Sequence, residues 1–343
     1  MPNAALTGTG LYVPPQRVTN NDLVTRYGVK TTDEWIVQRT GIVERRFAEP
    51  GVTGSDLALE ASKRALANAG LPAAELDLIL YCTLSPDMTF PGGGVFLQRK
   101  LGLLEGDAPT FVPAMDIRNQ CSGFIYGLAT AKAYVEANMA RHVLLVGAEV
   151  QSAALDLSTQ GRDVSSLFGD GAGAVIVSAT SEDRGVRGCI LGADGRQAES
   201  LCIRVWDMHK RPYIDVDERG RGIIPSEYLW PQMDGKKVFK QAVERLTEVV
   251  LAIIKEHECS LDEIDRFYFH QANLRINQLV ARRLGLPEEK MAHNIERYGN
   301  TTAATLPTML AEDVESGQLE SGMRILLAAF GSGFTWGAAI VDW

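Results

Sequence analysis

The chain of 343 residues is 45% hydrophobic and 22% charged, enough apolar material for two cores or for one domain built of two similar halves. Its formal charge of −9 argues against non-specific nucleic-acid binding and leaves an acidic partner only a local basic patch to meet. No basic stretch followed by an apolar one opens the sequence, and no window reaches about 18 uninterrupted apolar residues, so secretion and membrane insertion are not expected. The cysteines at 82, 121, 189, 202 and 259 are odd in number and form no C-x-x-C pair. That pattern disfavours a disulfide framework or a cysteine metal site and points to a reducing cytoplasm.

In chain order, the helical run "DLALEASKRALANAG" leads through "LPAAELD" into the strand "LILYCTL". Next, "TFVPAMDI" reads as a buried strand and "SGFIYGLATAKAYVEAN" as a helix, with Cys121 between them. A buried cysteine is often only a small hydrophobe. At a helix N-terminus, however, unpaired N–H groups and the helix dipole favour a thiolate, the attacking species. "HVLLVGAEV" at 142–150 reads as another buried strand. The stretch 193–232 mixes charge, Pro, Gly and aromatics without a period, which fits either a surface insertion or a lid.

The second half repeats the first in pattern. "KQAVERLTEVVLAIIKEHE" leads through "CSLDEID" into "RFYFHQ", and "RILLAAFGSG" at 324–333 matches the strand at 142–150. Identity between the halves is low, so a duplicated α/β fold and a coincidence of pattern both stand at this point. Ligands of such sheets gather at the carboxyl ends of strands, and Cys121, His270 and the 331–333 turn all follow strands.

Three C-terminal segments carry polar groups suited to chemistry. "FYFHQANLRI" ends a strand in His270, "RYGNTTAATLP" places Asn300 at the expected N-cap of the next helix, and "AAFGSGFTWGAAIVDW" makes a glycine-rich turn whose N–H groups can face a ligand. Taken singly, they also read as an interior histidine, a plain cap and a tight turn. "GTGLYV" lacks the third glycine of a dinucleotide fingerprint, because Val13 stands there, and neither a P-loop nor H-E-x-x-H occurs. The remaining histidines, at 142, 209, 257 and 293, have no ligand-like spacing, so neither a metal nor a cofactor is expected.

Taken together, "GTGLYVPP", "TTDEWIVQRTGIVERR", "RNQCSGF", "SLFGDGAGAVIV", "HQANLRI", "GNTTAA" and "FGSGFTWG" cover almost the whole chain in one order. They resemble the ketoacyl-acyl-carrier-protein synthase III family, condensing enzymes of the thiolase superfamily. The 30-residue separation of His270 and Asn300 (300 − 270) agrees with that family. The resemblance implies an α/β thiolase-like fold of two similar αβαβα-type halves forming five layers. Residues 1–180 would carry Cys121, and 181–343 would carry His270, Asn300 and the irregular insertion near 193–232.

It also implies a decarboxylative Claisen condensation, in which an acyl-CoA primer is joined to malonyl-ACP to initiate fatty-acid synthesis. Cys121 would hold the acyl group, splitting one hard step into two. His270 and Asn300 would donate hydrogen bonds to the oxygen that gathers charge on decarboxylation, where losing one donor costs about 100 to 1,000-fold in rate. An amide cannot act as a base, so Asn300 fits only the donor role. The backbone N–H groups of Cys121 and Ser332 would form the second oxyanion site. Ser332 departs from the glycine expected there, which narrows the backbone angles open to it.

By the same resemblance, Trp35 and Arg162, with Arg39 nearby, would hold the coenzyme A adenine, and Asn273 would neighbour the pantetheine arm. Arg275, helped by Arg282 and Arg283, would meet the acidic carrier protein, unless these arginines only form a solvated helix face. Phe90 would cross a homodimer interface into the partner's acyl pocket. Two departures, "RNQCSGF" and the 193–232 stretch, leave open a specialised enzyme joining two longer acyl chains to a β-keto product, long-chain ketone precursor or α-pyrone. The non-decarboxylating form of that chemistry uses a glutamate base near the interface loop, where this chain has only Asp87 beside Phe90. A non-catalytic partner subunit and acyl transfer to oxygen or nitrogen are the other readings. Retention of Cys121, His270 and Asn300 opposes the first, and the absence of a base at 300 opposes the second.

Overall fold

A strand covered on both faces needs apolar residues at consecutive positions, and "LILYC" and "VLLVGAE" meet that requirement with every residue buried. The computed structural model describes residues 1–106, 108–205, 208–209 and 214–343. Among them, β1 (Asn3–Tyr12), β2 (Leu78–Cys82), β3 (Ala114–Ile117), β4 (His142–Glu149) and β5 (Gly171–Thr180) form one sheet in the order β1-β5-β4-β2-β3. β6 (Gly185–Ala193), β7 (Arg266–Phe269), β8 (Arg324–Gly331) and β9 (Thr335–Asp342) form a second, ordered β6-β9-β8-β7.

The two sheets share a plan. β1 and β6 each run antiparallel to a neighbour, β5 or β9, which is antiparallel to β4 or β8. Those strands in turn are parallel to β2 or β7. The first sheet adds the parallel edge strand β3, where the second has only a parallel bridge between Phe267 and Met291.

Helices fill three layers around the sheets. α1 (Gly54–Ala69) packs on the outer face of the first sheet through Leu57, Ala61 and Ala65. α2 (Gly123–Glu136) and α5 (Thr305–Glu315) lie between the sheets, where Phe124, Ile125, Leu128 and Leu310 are fully buried among residues of both. Side chains of this size each contribute about 1.5–3 kcal/mol on burial, so this middle layer joins the halves into one core. α3 (Gly235–Glu256) and α4 (Leu274–Leu284) cover the outer face of the second sheet. The result is the expected five-layer α/β arrangement.

The 193–232 stretch is only partly regular. Leu201–Cys202 pairs antiparallel with Gln232–Met233, and Asp215–Val216 pairs with Gly222–Ile223. Its residues 206, 207 and 210–213 lie outside the described residues.

Candidate active site

Parallel strands aim their carboxyl ends at one region, and the chemistry-bearing residues follow those ends. After β3 the chain makes a tight turn, Gln120–Ser122, and enters α2. Gln120 holds φ +45°, a left-handed angle that costs about 1 kcal/mol or more in a non-glycine residue. The Ser122 hydroxyl ties the turn to Thr335 of β9 at 2.8 Å. Gly331, at the end of β8, comes so close that a Cβ there would lie 3.0 Å from both N and Cβ of Cys121. Cys121 and the glycine-rich turn are therefore held face to face by the packing of the two halves.

The thiolate expected at this helix start is not the resting form. Burial pushes the Cys121 thiol up to about 12, the negative charge on Glu149 adds to the rise, and the Asn300 amide offsets it in part. Dehydration of the charged form outweighs the favourable helix end.

His270 continues the ladder of β7 by donating its N–H to the Ala328 carbonyl at 2.9 Å. Its ring is 3% exposed, and neither ring nitrogen has a hydrogen-bond partner. Burial lowers its pKa to about 3, so the imidazole is neutral throughout the working range and keeps one N–H to donate. Asn300 is 4% exposed and bridges to the 167–169 segment, donating to the Leu167 carbonyl at 2.8 Å and accepting from Gly169 N–H at 3.1 Å. It is not the expected N-cap, since Thr301 takes that position before the short Thr302–Ala304 turn. Instead its Oδ1 accepts from Thr302 N–H at 2.8 Å, which fixes the amide and leaves its NH₂ turned toward Cys121.

Supporting residues escaped the sequence reading because none belongs to a local pattern. Arg45 is fully buried and donates to Asn20 Oδ1 and the Ser166 carbonyl, each at 2.8 Å, anchoring the segment that pairs with Asn300. Glu149, the last residue of β4, is fully buried and accepts from the N–H groups of Leu84 and Ser85 and the hydroxyls of Thr83 and Ser85. Burial raises its pKa to about 7 against the pull of those donors. Gln151 spans from Glu149 to the Thr302 hydroxyl at 3.0 Å, and Thr302 itself holds φ +53°. A lone carboxylate closing the apolar run "HVLLVGAE" is the sequence signal that could have found Glu149.

Two cavities meet at Cys121. One, of about 90 Å³, is lined by Cys121, His270, Asn300, Asn273 and apolar residues of α3 such as Phe239. The other, of about 260 Å³, touches Cys121 from another side and includes Gln151, Thr302, Arg118 and Ser332. Phe168 and Leu201 wall both. The Ser332 hydroxyl donates to the Leu201 carbonyl, so the serine found in place of glycine tethers the irregular stretch to the glycine-rich turn that faces Cys121.

The expected binding residues fall into separate groups. Trp35 has two guanidinium groups over its ring, Arg39 at 4.2 Å and Arg162 at 5.0 Å from the ring centre. Asn273 lines the smaller cavity but its amide is committed, accepting from Arg275 N–H at 2.9 Å and donating to the Arg39 carbonyl at 3.0 Å. Arg275 donates to the Gln38 carbonyl while remaining exposed, as are Arg282 and Arg283 on the same helix. Phe90 is 81% exposed and lines neither cavity; Met88 beside it in sequence is exposed too, and the N–H groups of Gly93 and Gly94 that follow are tied to Asp116 of β3. Asp87 is consumed by Thr53, Ser55 and the Lys100 ammonium and lines neither cavity, so it does not supply a base at Cys121.

Among the described residues, no group of three or more His, Cys, Asp or Glu side chains could hold a metal ion, and no helix is long and apolar enough to cross a membrane. Residues 115–195 match the family model described as 3-oxoacyl-[acyl-carrier-protein (ACP)] synthase III, and residues 254–343 match that of its C-terminal part. The chain is 36% identical to the 3-oxoacyl-[acyl-carrier-protein] synthase III of Aquifex aeolicus, covering 99% of this chain and 100% of that one with a TM-score of 0.86. It is 38% identical to the β-ketoacyl-[acyl carrier protein] synthase III of Thermus thermophilus, covering 99% of each chain, again with a TM-score of 0.86. The priming β-ketosynthase of the R1128 polyketide pathway is 32% identical over 99% of this chain and 96% of that chain, with a TM-score of 0.86. With likeness of this extent over its full length, and with cysteine, histidine and asparagine facing one cavity, the chain belongs to the 3-oxoacyl-acyl-carrier-protein synthase III family of condensing acyltransferases.

Proposed function

We propose that the protein condenses an acyl-CoA primer with malonyl-ACP through a Cys121 acyl-enzyme, the first step of fatty-acid synthesis. The observation that carries this reading is the donor pair beside the nucleophile. A buried, neutral His270 has both ring nitrogens unpartnered, and Asn300 has an amide aimed by Thr302. Cys121 sulfur displaces coenzyme A from the primer, and the thiol hydrogen ends on the departing sulfur. The malonyl thioester then loses carbon dioxide, and the enolate oxygen takes hydrogen bonds from His270 and Asn300. Its carbon attacks the Cys121 thioester, whose oxyanion is held by the N–H groups of Cys121 and Ser332. Collapse releases the β-keto product, and a solvent proton restores the thiol.

The two thioesters are the only small molecules this scheme needs. Trp35, Arg39 and Arg162 would take the adenine end of coenzyme A, Asn273 would flank the pantetheine arm, and Arg275 with Arg282 and Arg283 would dock the acidic carrier. Exposed Phe90, Met88 and Phe111, near the free edge strand β3, support a homodimer. Five free cysteines fit a cytoplasmic location.

Intact-protein mass after brief exposure to acyl-CoA tests the nucleophile, since an adduct on Cys121→Ala would remove it. Asn300→Ala should slow malonyl decarboxylation about 100 to 1,000-fold, and a loss under about threefold would end the stabiliser role. The meeting of two cavities at Cys121 supports a second reading, in which the enzyme joins two longer acyl chains. Preferential loading of long chains over short ones would bring that reading forward.

A further inference from the structure

The larger cavity is not walled as a saturated acyl chain would require. Phe168 and Leu201 give it apolar surface, yet Arg118, Gln120, Gln151 and Thr302 line it too. Most of its polar groups have partners within the protein. Gln151 donates to Glu149 and Thr302, and the Gln120 amide donates to the Arg118 carbonyl at 3.5 Å. The Arg118 guanidinium differs, because its side chain makes no ion pair or hydrogen bond among the described residues. Its charge is permanent, and its planar fork matches a carboxylate.

Sequence distance limits where that fork reaches. Arg118 precedes Cys121 by three residues, so their Cα atoms lie within roughly 10 Å. The intervening turn is held by Gln120 in its left-handed conformation and by the Ser122–Thr335 bond. His270 and Asn300 line only the other cavity. An acyl group on Cys121 could therefore keep its thioester at the N–H groups of Cys121 and Ser332, leaving His270 and Asn300 to the malonyl thioester, while its far end enters the space before Arg118.

We propose that Arg118 selects a primer whose far end is a carboxylate, the half-thioester of a short dicarboxylic acid of about four to six carbons, bound in this cavity. The inference rests on the condensing reading. Loading forms the Cys121 sulfur–acyl bond and breaks the coenzyme A sulfur–acyl bond, the thiol hydrogen passing to coenzyme A. The distal carboxylate takes no part beyond pairing with Arg118.

The test is the rate of Cys121 acylation, read by intact-protein mass on the full chain, with length-matched coenzyme A thioesters: succinyl against butyryl, and adipoyl against hexanoyl. Wild type should load one carboxylate-ended member at least about tenfold faster than its methyl-ended match. In Arg118→Ala that ratio should fall about 10 to 100-fold, with Arg118→Lys between, as expected for loss of a charge-assisted pair. Faster loading of the methyl-ended members by wild type, or an unchanged ratio in Arg118→Ala, would overturn the proposal while leaving the condensing reading intact. No adduct from any of the four would overturn the proposal, and the condensing reading would fall with it only if acetyl-CoA and long-chain acyl-CoA also left no adduct.

Discussion

Replacing Gly331 with alanine tests whether the face-to-face packing of the β8 turn on the nucleophile sets the rate. The added Cβ would stand 3.0 Å from Cys121 Cβ and from its backbone N, about 0.5 Å inside ordinary carbon contact. Neither atom belongs to a flexible side-chain end, so backbone must shift in one half or the other. Overpacking of this kind costs about 1–3 kcal/mol. At about 2.1 cal/mol/K per residue over 343 residues, that lowers Tm by only roughly 1–4 °C. Catalysis should suffer more, because misplacing reacting atoms by about 1 Å costs roughly a hundredfold. The expected result is acyl-enzyme formation slowed about 10 to 100-fold in a protein that melts almost normally, measured by quenched-flow intact mass alongside calorimetry. Loading within twofold of wild type would show that the turn yields freely and would refute this account of the site.

Other expectations follow from the buried groups. With its thiol pushed up to about 12, Cys121 should react with iodoacetamide at a rate that keeps rising about tenfold per pH unit from 7 to at least 10, and a plateau near pH 8 would mean a stabilised thiolate instead. The folded pKa of His270, about 3, lies below the ordinary 6.5, so the unfolded chain binds the extra proton between these values and stability falls as pH drops through that window. From pH 6.5 to 4.5 this group should cost about 2–3 kcal/mol, and denaturant titrations of His270→Asn should lack that loss. An identical pH dependence in the variant would contradict the burial argument. Ser332→Ala removes the donor to the Leu201 carbonyl, worth about 1 kcal/mol, so hydrogen exchange at 201–202 and 232–233 should quicken about fivefold. Unchanged protection there would show that the tether is not what holds the strand pair.

Cys121, His270 and Asn300 were legible as candidates because each sits in a short motif, the first two just after strands and Asn300 in the turn after a short helix, and the alternation of helices and strands followed from hydrophobic period. The supporting residues were not legible in the same way. Arg45 reaches Ser166 across 121 positions, Gln151 reaches Thr302 across 151, and Ser122 reaches Thr335 across 213. Periodicity reports which face of an element is apolar and carries no information about a partner that distant.

The sequence by itself determined the α/β class and the absence of dinucleotide and P-loop motifs, which are properties of local runs and spacings, and its motifs singled out Cys121, His270 and Asn300 as the proposed nucleophile and donors through their resemblance to a family. Tertiary structure alone decided that Cys121 rests as a thiol, that Asn300 is aimed by Thr302 rather than serving as a cap, that Asp87 is tied up elsewhere, and that Arg118 faces a second cavity. The first depends on desolvation and the last on a cavity lined from both halves, and neither exists until the middle helices have packed both sheets around them, whereas the Asn300 and Asp87 contacts form within one half and depend on backbone geometry and on partners that hydrophobic period does not report.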